Sequence, residues 1–243
     1  MRQGLFTVTA LRQLTRDVYE MRLAGDTGAI TAPGQFVNVL VDGLYLRRPI
    51  SVCDREEGAL TLVFRTVGAG TTKMAQARPG DVFDLLTGLG NGYDITGTAA
   101  PLLIGGGVGV PPLYGLCKQM TQCGLRPQVY LGFREEADVF YAGEFAALGC
   151  KPEIALGREF VTDRIAAKRP VFDAYFACGP EPMLKAAWKS LSAPGQLSFE
   201  ARMGCGFGAC MGCTCETLTG HKRICRDGPV LRSEELIWKE ARA

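Results

Sequence analysis

The sequence contains one histidine, His221, in 243 residues. A Ser–His–Asp triad would therefore have a single possible base, and no Gly-x-Ser-x-Gly turn accompanies it. His221 lies beside Lys222 and Arg223 and is expected on a solvated hairpin. His-Glu-x-x-His and Walker A segments are also missing, so acid–base hydrolysis, zinc peptidase chemistry and P-loop chemistry have little support.

An excess of charge of either sign is missing too. The chain has 27 Lys and Arg against 25 Asp and Glu, a formal net charge of +2. Its basic residues are scattered and form no run of the kind that follows a phosphate backbone. Nucleic acid is therefore not an expected partner.

Long apolar runs are absent as well. The longest uncharged stretch, residues 95–117, is interrupted by six glycines and three prolines. Such a segment would lose backbone hydrogen bonds inside a bilayer, so no membrane span is expected. The first seven residues have no apolar core of signal-peptide length. We expect a cytoplasmic protein.

Cysteine, by contrast, is abundant, with 10 residues. In a reducing compartment these are expected as thiols or metal ligands rather than disulfides. Five crowd between residues 205 and 225. The others are isolated along the chain and are expected, by default, as small buried hydrophobic side chains: Cys53, Cys117, Cys123, Cys150 and Cys178.

The crowded cysteines have the spacing Cys205-x4-Cys210-x2-Cys213 with a more distant Cys225, which matches the plant-type [2Fe–2S] pattern. Glycines between them permit the backbone angles with which a loop wraps a cluster closely. The alternative is a structural zinc site, but zinc sites commonly use two Cys-x-x-Cys pairs and only one is present. Cys215 is expected to be a spare, because the pattern is complete without it.

Three regions of different pattern follow one another along the chain. Residues 1–97 contain short β-type segments between Gly/Pro/Asp turns, which predicts an antiparallel β-barrel. In residues 98–196 apolar strands alternate with helical segments, which predicts a central parallel α/β sheet. Residues 197–243 are too short for a large core, so a metal site is expected to hold this small lobe together. The expected fold is thus multidomain α and β. Helices are predicted at residues 71–77, from just after 109 to 120, near 143–148 and at 181–191.

Two segments in the barrel region predict a flavin site. Arg48-Pro49-Ile50-Ser51 has the form Arg-x-x-Ser, in which the arginine can pair with a pyrophosphate and the serine can reach a flavin nitrogen. Gly68-Ala69-Gly70-Thr71-Thr72 opens a short predicted helix, and such a glycine-containing helix start is suited to an anion. The alternative is a strand arginine followed by an ordinary capped helix.

Two segments in the sheet region predict a nucleotide site. Gly105-Gly106-Gly107-Val108-Gly109 follows a predicted strand and precedes a helix, where a nucleotide phosphate would bind. Cys178-Gly179-Pro180 ends a later strand at the same carboxyl edge, where ligands collect. The Cys178 thiol could contact a nicotinamide; the alternative is a tight turn after a buried cysteine.

In this order the barrel, the glycine-rich sheet and the Cys-Gly-Pro turn resemble the ferredoxin–NADP reductase superfamily. Within it, the sequence is similar to the electron-transfer subunits of class 1B dihydroorotate dehydrogenases. The segments that carry this resemblance are 88–92, 105–113, 178–183, 202–213 and 224–230.

The resemblance implies a route for electrons. A separate FMN-containing catalytic subunit would oxidise dihydroorotate in pyrimidine biosynthesis, in a heterotetramer of two plus two chains. Electrons would pass through the [2Fe–2S] cluster and FAD to NAD+. By position, the FAD residues would be Arg48, Ser51, Gly70 and Thr71 with Arg65 nearby; residues 105–109 and Cys178 would line the nucleotide site. The cluster ligands would be Cys205, Cys210, Cys213 and Cys225.

Two departures from the superfamily stand out. Ile50 occupies a position where many reductases place an aromatic ring against the flavin. Eleven residues separate Cys213 from Cys225, far fewer than in plant ferredoxins, although the narrower family shares this spacing.

The preference for NAD over NADP depends on charge after the strand that ends near residue 132. Arg134 is followed by Glu135, Glu136 and Asp138, and this negative charge would repel a 2′-phosphate, although Arg134 alone could receive one.

An alternative within redox enzymes is the diaphorase subunit of a hydrogenase or of a ferredoxin–NAD(P) transhydrogenase. An alternative from another class is a zinc-stabilised adaptor that keeps the scaffold without turnover.

Overall fold

The computed structural model describes residues 1–238 and begins with a barrel. Its strands are β1 (Arg2–Gln13), β2 (Val18–Ala24), β3 (Phe36–Val39), β4 (Arg48–Glu56), β5 (Ala59–Arg65) and β6 (Val82–Leu89). They are antiparallel and close in the order β1-β2-β5-β4-β3-β6. Closure leaves no free sheet edge and surrounds an apolar core that includes Phe6, Met21 and Leu62. The predicted barrel is confirmed.

A short helix, α1 (Ala69–Met74), follows the fifth strand. It starts and ends earlier than the predicted 71–77. The start is set by Thr71, whose Oγ1 accepts hydrogen bonds from the backbone N–H of Val67 and Gly68 at 2.9 and 3.3 Å.

The second part is a six-stranded sheet flanked by helices. Its strands are β7 (Pro101–Gly106), β8 (Gln128–Phe133), β9 (Glu153–Leu156), β10 (Ala174–Cys178), β11 (Gly195–Ser198) and β14 (Val230–Arg232). The order is β14-β11-β10-β7-β8-β9, in which β14 is antiparallel and the other five are parallel. The helices are α2 (Val110–Gln122), α3 (Ala142–Ala147), α4 (Val161–Lys168) and α5 (Glu181–Ser190).

Three of these elements were not predicted: α4, β11 and β14. α4 is short, and its buried face consists of Val161 and Ile165 alone, one turn apart, which is a weak periodic pattern. β11 spans four residues directly after Pro194, so the Ala193-Pro194-Gly195 turn concealed it. The expected domain boundary between residues 196 and 197 falls inside this strand, and the three-part division remains a prediction.

The C-terminal lobe extends from β11 to β14. It contains the hairpin of β12 (Thr214–Thr217) and β13 (Gly220–Arg223), which carries His221 on an exposed position as expected. The chain then returns to the sheet, where Ser198 pairs with Val230 and the N–H of Phe199 donates to the carbonyl of Pro229 at 2.9 Å. The lobe therefore leaves and re-enters the sheet at one place.

Barrel and sheet are joined through β4 and α2. Gly115 of α2 lies so close to β4 that an added Cβ would be 2.6 Å from the carbonyl oxygen of Cys53. Lys118 forms ion pairs with Asp54 at 2.7 Å and with Glu56 at 2.9 Å. This packing holds the carboxyl edge of the sheet beside the barrel. Among residues 1–238, no helix is long and apolar enough to cross a membrane.

Candidate functional site

A cavity of about 640 Å³ opens between the barrel, the start of α1 and the segment that follows β11. It brings together most of the residues predicted to bind a flavin. Those that line it are Arg48, Pro49, Ile50, Ser51, Arg65, Gly70 and Thr71. Thr72, the next residue of α1, is exposed and is not part of the lining.

The lining has the chemistry that an FAD needs. Guanidinium groups from Arg48 and Arg65 can pair with a diphosphate, since arginine forms paired hydrogen bonds with phosphate oxygens. Apolar side chains, including Phe36, Ile50 and Val63, supply a surface for a flat ring. Arg48 is the first residue of β4 and Arg65 is the last residue of β5. Cationic groups for a diphosphate and an apolar wall for a ring are thus present in one cavity, and the set fits FAD.

The side chain of Arg48 passes so close to Gly70 that this position requires glycine. An added Cβ would run into Nε and Cδ of Arg48, so a larger residue would displace the guanidinium. Arg48 is further held by a hydrogen bond from its Nη1 to the carbonyl oxygen of Leu46. Two predicted flavin residues, distant in sequence, are thus in direct contact.

The two predicted nucleotide segments also meet. An added Cβ on Gly109 would clash with the carbonyl of Cys178, and one on Gly106 would lie 2.6 Å from Sδ of Met183. On Gly105 it would lie 2.9 Å from a methyl carbon of Leu131. Gly179 has φ +157° and lies against Gly106. These glycines therefore allow the loop after β7 to pack on the Cys-Gly-Pro turn after β10.

Val108 is the residue of this loop that lines the flavin cavity, and Gly107 lies near Arg65, another lining residue. Gly107 has φ +51°, and an added Cβ would lie 3.7 Å from Nη2 of Arg65, while Val108 lines the cavity itself. Pro180 precedes α5, whose N-terminal turn starts beside this loop. The predicted nucleotide loop thus borders the cavity.

Cys178 is 7% exposed, and its thiol lies near the hydroxyl groups of Ser198 and Tyr93. Burial raises the pKa of the thiol to about 12, so it is neutral at physiological pH. Tyr93 in turn donates to the carbonyl of Ala177 at 3.0 Å. Cys178 is not among the residues that line the flavin cavity, and its predicted contact with a nicotinamide remains a prediction.

The four cysteines predicted as cluster ligands lie in two pairs. The thiols of Cys205 and Cys210 are within hydrogen-bonding reach of each other, and so are those of Cys213 and Cys225. Cys213 and Cys225 are 5% and 1% exposed, whereas the first pair is more accessible. Two thiol pairs fit a cluster of two irons in which each iron takes two thiolates.

Backbone N–H groups point at the sulfur atoms. Those of Ala209 and Cys210 lie 3.2 and 3.4 Å from Sγ of Cys205, and that of Gly212 lies 3.4 Å from Sγ of Cys210. The N–H of Cys225 lies 3.4 Å from Sγ of Cys213. Burial acts to raise the pKa of Cys205, but the N–H groups around it outweigh burial and lower the pKa to about 6. The loop therefore favours a thiolate before any metal binds.

Arg223 holds the two cysteine segments together. Its Nη1 donates to the carbonyl of Gly208 at 3.0 Å, and its Nε donates to Asp227 at 3.1 Å. Gly208 has φ +92° and an added Cβ would lie 2.7 Å from Cδ of Arg226, so the turn between Cys205 and Cys210 requires glycine here. Cys225 is fixed to the first three cysteines by these contacts.

Cys215 lies in β12, opposite Lys222 of β13, and belongs to neither thiol pair. Burial raises its pKa, as for an ordinary part-buried thiol. Within residues 1–238, no three His, Cys, Asp or Glu side chains converge on one point suited to a single metal ion.

Sequence reasoning missed the segment between β11 and the first cysteine. Residues 199–203 line the flavin cavity, and Glu200 supplies a carboxylate to it. Cys205 follows two residues later, so one short segment borders both sites. Asn38 was missed as well; its side chain donates to the carbonyl of Cys205 at 3.1 Å. Segment 199–203 could have been found from its closeness to Cys205 in the sequence. Asn38 could not, because it stands in an apolar strand whose pattern indicates only a buried core position.

Comparison with known proteins agrees with this geometry. The iron–sulfur cluster binding domain of dihydroorotate dehydrogenase B matches residues 200–237. The dihydroorotate dehydrogenase B (NAD(+)) electron transfer subunit of Bacillus caldolyticus is 44% identical, with 95% of this chain and 97% of that protein covered. The subunit of the same description from Fusobacterium nucleatum is 40% identical, with 95% and 96% covered.

Among solved structures, an NADH-dependent reduced ferredoxin–NADP oxidoreductase superposes with a TM-score of 0.87 at 27% identity, over 96% of this chain and 90% of that one. Phthalate dioxygenase reductase shares the fold, with a TM-score of 0.66 at 15% identity over 88% and 86% of the two chains.

The fold and the two adjoining sites thus define an oxidoreductase of the ferredoxin–NADP reductase type that carries an iron–sulfur lobe. Within that class, the chain belongs to the family of dihydroorotate dehydrogenase B (NAD+) electron transfer subunits. The resemblance seen in the sequence is confirmed.

Proposed function

We propose that this chain transfers electrons from the catalytic subunit of dihydroorotate dehydrogenase, through a [2Fe–2S] cluster and FAD, to NAD+ in pyrimidine biosynthesis. The observation that carries the proposal is the segment 199–203, which lines the flavin cavity and leads directly to Cys205. When bound, FAD supplies the exchange between hydride and one-electron chemistry, and the cluster supplies one-electron transfer.

The chain's own residues bind and orient these groups. Arg48 and Arg65 would neutralise the diphosphate of FAD, Ser51 would donate to the flavin ring, and Gly70 with Thr71 would border the diphosphate. The ligands of the cluster are Cys205, Cys210, Cys213 and Cys225. Backbone N–H groups around them stabilise thiolate charge without adding a cation.

The nucleotide is NAD. The residues that would hold it are Gly105, Gly106, Gly107 and Gly109 of the loop after β7 and Cys178, Gly179 and Pro180 of the turn after β10. Glu135 and Glu136 are exposed directly after β8, where they disfavour a 2′-phosphate. Cys178 would contact the nicotinamide as the catalytic residue of this site, with a thiol that burial keeps neutral.

The partner is an FMN-containing catalytic subunit, in a heterotetramer of two plus two chains in the cytoplasm. Support comes from apolar side chains exposed on the cysteine loop: Phe207 is 44% exposed and Met211 is 53% exposed. Exposed apolar groups beside a redox centre are suited to a protein partner that must approach it closely.

A spectrum of anaerobically purified protein, with iron and sulfide assays, tests the proposal. We expect flavin bands, a broad cluster absorption, and about two irons and two sulfides per chain. The isolated chain should reduce dyes with NADH and should not act on dihydroorotate until the catalytic subunit is added. Activity of the single chain with dihydroorotate, or stoichiometric zinc in a colourless preparation, would contradict it.

A second candidate is a reductase subunit of another flavin iron–sulfur system. The observation that favours it is the superposition, at a TM-score of 0.87, on the NADH-dependent reduced ferredoxin–NADP oxidoreductase. The two functions differ in their electron donor. Copurification with a subunit that oxidises dihydroorotate supports the first, and oxidation of reduced ferredoxin by the isolated chain supports the second.

A further inference from the structure

Asn38 lies on the outer face of β3, between the flavin cavity and the cysteine lobe. Side chains alternate along a strand, so Val37 and Val39 enter the barrel core while Phe36 and Asn38 face the other way. Phe36 lines the flavin cavity and belongs to the same apolar cluster as Cys213. Asn38 is 1% exposed. An amide is therefore buried at the junction of the two redox sites.

The amide is attached to the first cysteine. Its Nδ2 donates to the backbone carbonyl of Cys205 at 3.1 Å. This contact sets the orientation of the amide, since the flipped arrangement would place two oxygens against each other. The approach is close: an added Cβ on Gly206 would collide with Nδ2 of Asn38.

The amide is also costly to keep. Its Oδ1 is buried and has no hydrogen-bond donor within the described residues. An unpaired buried oxygen is unfavourable, and a leucine of similar shape would avoid that penalty. The hydrogen bond that a leucine of similar shape would remove is the one from Nδ2 to the carbonyl of Cys205.

The strand that carries Asn38 also forms the flavin wall. Asn38 pairs with Pro49 of β4, whose neighbours Arg48 and Ile50 line the cavity. One hydrogen bond therefore connects the backbone of a predicted cluster ligand to the strand pair that bounds the flavin.

We infer that Asn38 is a positioning residue for electron transfer between flavin and cluster, and that it acts by fixing the Cys205 backbone to β3. The inference rests on the proposed function, because it presupposes both cofactors. It assigns to Asn38 the distance and orientation of the first cysteine relative to the flavin wall.

Asn38→Leu tests this, with Thr87→Val as the matched control. Thr87 is likewise 1% exposed in a barrel strand, and its hydroxyl donates to the carbonyl of Arg2 at 3.3 Å. For each variant, iron, sulfide and flavin contents are measured first. Rapid mixing with NADH then separates flavin bleaching from cluster reduction, and the reduced cluster is characterised by its electron paramagnetic resonance spectrum and midpoint potential.

For Asn38→Leu we expect full cofactor content and flavin bleaching within about twofold of the unmodified chain. Loss of one hydrogen bond should lower the population of the correctly held Cys205 backbone by roughly fivefold or more. Cluster reduction should slow by the same factor. The cluster's resonance spectrum or potential should shift. Thr87→Val should change none of these.

Unchanged cluster reduction, spectrum and potential in Asn38→Leu would overturn the inference, as would equal slowing of flavin bleaching. If the leucine variant does not accumulate, the same measurements are made on Asn38→Ala. If neither variant loads its cofactors, Asn38 serves folding and the inference is wrong. An unmodified chain without flavin or cluster would instead refute the proposed function.

Discussion

The hydroxyl group of Tyr141 is the subject of the most direct stability prediction. Tyr141 precedes α3 on the sheet side and donates to Oε2 of Glu20, a residue of the barrel, at 2.7 Å. The Glu20 side chain is 3% exposed and also accepts two hydrogen bonds from Arg12, at 3.0 and 2.9 Å. Tyr141→Phe removes one donor to a buried carboxylate and leaves the ring in place.

The size of the effect follows from the partners that remain. A hydrogen bond to a charged group contributes about 1.5–3 kcal/mol, and Glu20 keeps Arg12, so we expect a loss of about 2 kcal/mol. In a protein of this size that corresponds to a fall in melting temperature of roughly 4–8 °C. Tyr45→Phe makes the same chemical change on a side chain that is 99% exposed, and it should leave the melting temperature unchanged.

The effect should also depend on pH. Burial acts to raise the pKa of Glu20, but hydrogen bonds from Arg12 and Tyr141 and the charges of Arg12 and Arg22 together lower it below its usual range. A lowered folded-state pKa gives stability that is present above the ordinary carboxyl range and lost as the pH falls through the folded-state value. The difference between Tyr141→Phe and the unmodified chain should therefore shrink in acid.

Thermal melts of both variants at neutral and acidic pH measure this. A fall of less than about 1 °C for Tyr141→Phe at neutral pH would refute the reasoning, since it would mean that the bond is worth under roughly 0.5 kcal/mol. Equal falls for Tyr141→Phe and Tyr45→Phe would refute it too.

Three further outcomes are expected. Cys215→Ser should retain two irons per chain while Cys210→Ser loses the cluster absorption, and iron loss in Cys215→Ser would show that the ligand set is wrong. Arg48→Ala should weaken FAD binding by about tenfold or more, as the loss of one charged hydrogen bond requires, in titrations of the apoprotein with FAD; an unchanged dissociation constant would place the diphosphate elsewhere. Glu135→Lys with Glu136→Lys should raise kcat/KM for NADPH by roughly tenfold in the dye-reductase assay, and equal rates with and without the exchange would exclude these carboxylates from cofactor choice.

The parts of the molecule that sequence reasoning anticipated depend on local spacing. Each of three patterns reflects what the backbone of a few consecutive residues must do: the cysteine spacing, the Arg-x-x-Ser segment and the glycines after β7. α4 and β11 were missed because they are short and are stabilised by the sheet against which they pack rather than by their own pattern. Asn38 could not be predicted, because its role depends on Cys205, which is remote in sequence and adjacent only in the fold.

The return of the chain to the sheet after the cysteine lobe has a consequence for the evolution and engineering of such reductases. Since Ser198 and Val230 are paired neighbours, the lobe is an excursion whose two ends lie side by side on β11 and β14. A segment with adjacent ends can be exchanged or inserted while the strands around it stay paired. Residues 199–203 of this lobe also line the flavin cavity, so an exchange must keep that wall. The lobe is thus an insertion between two paired strands. A flavin reductase of this fold could acquire a cluster-binding lobe by a single insertion.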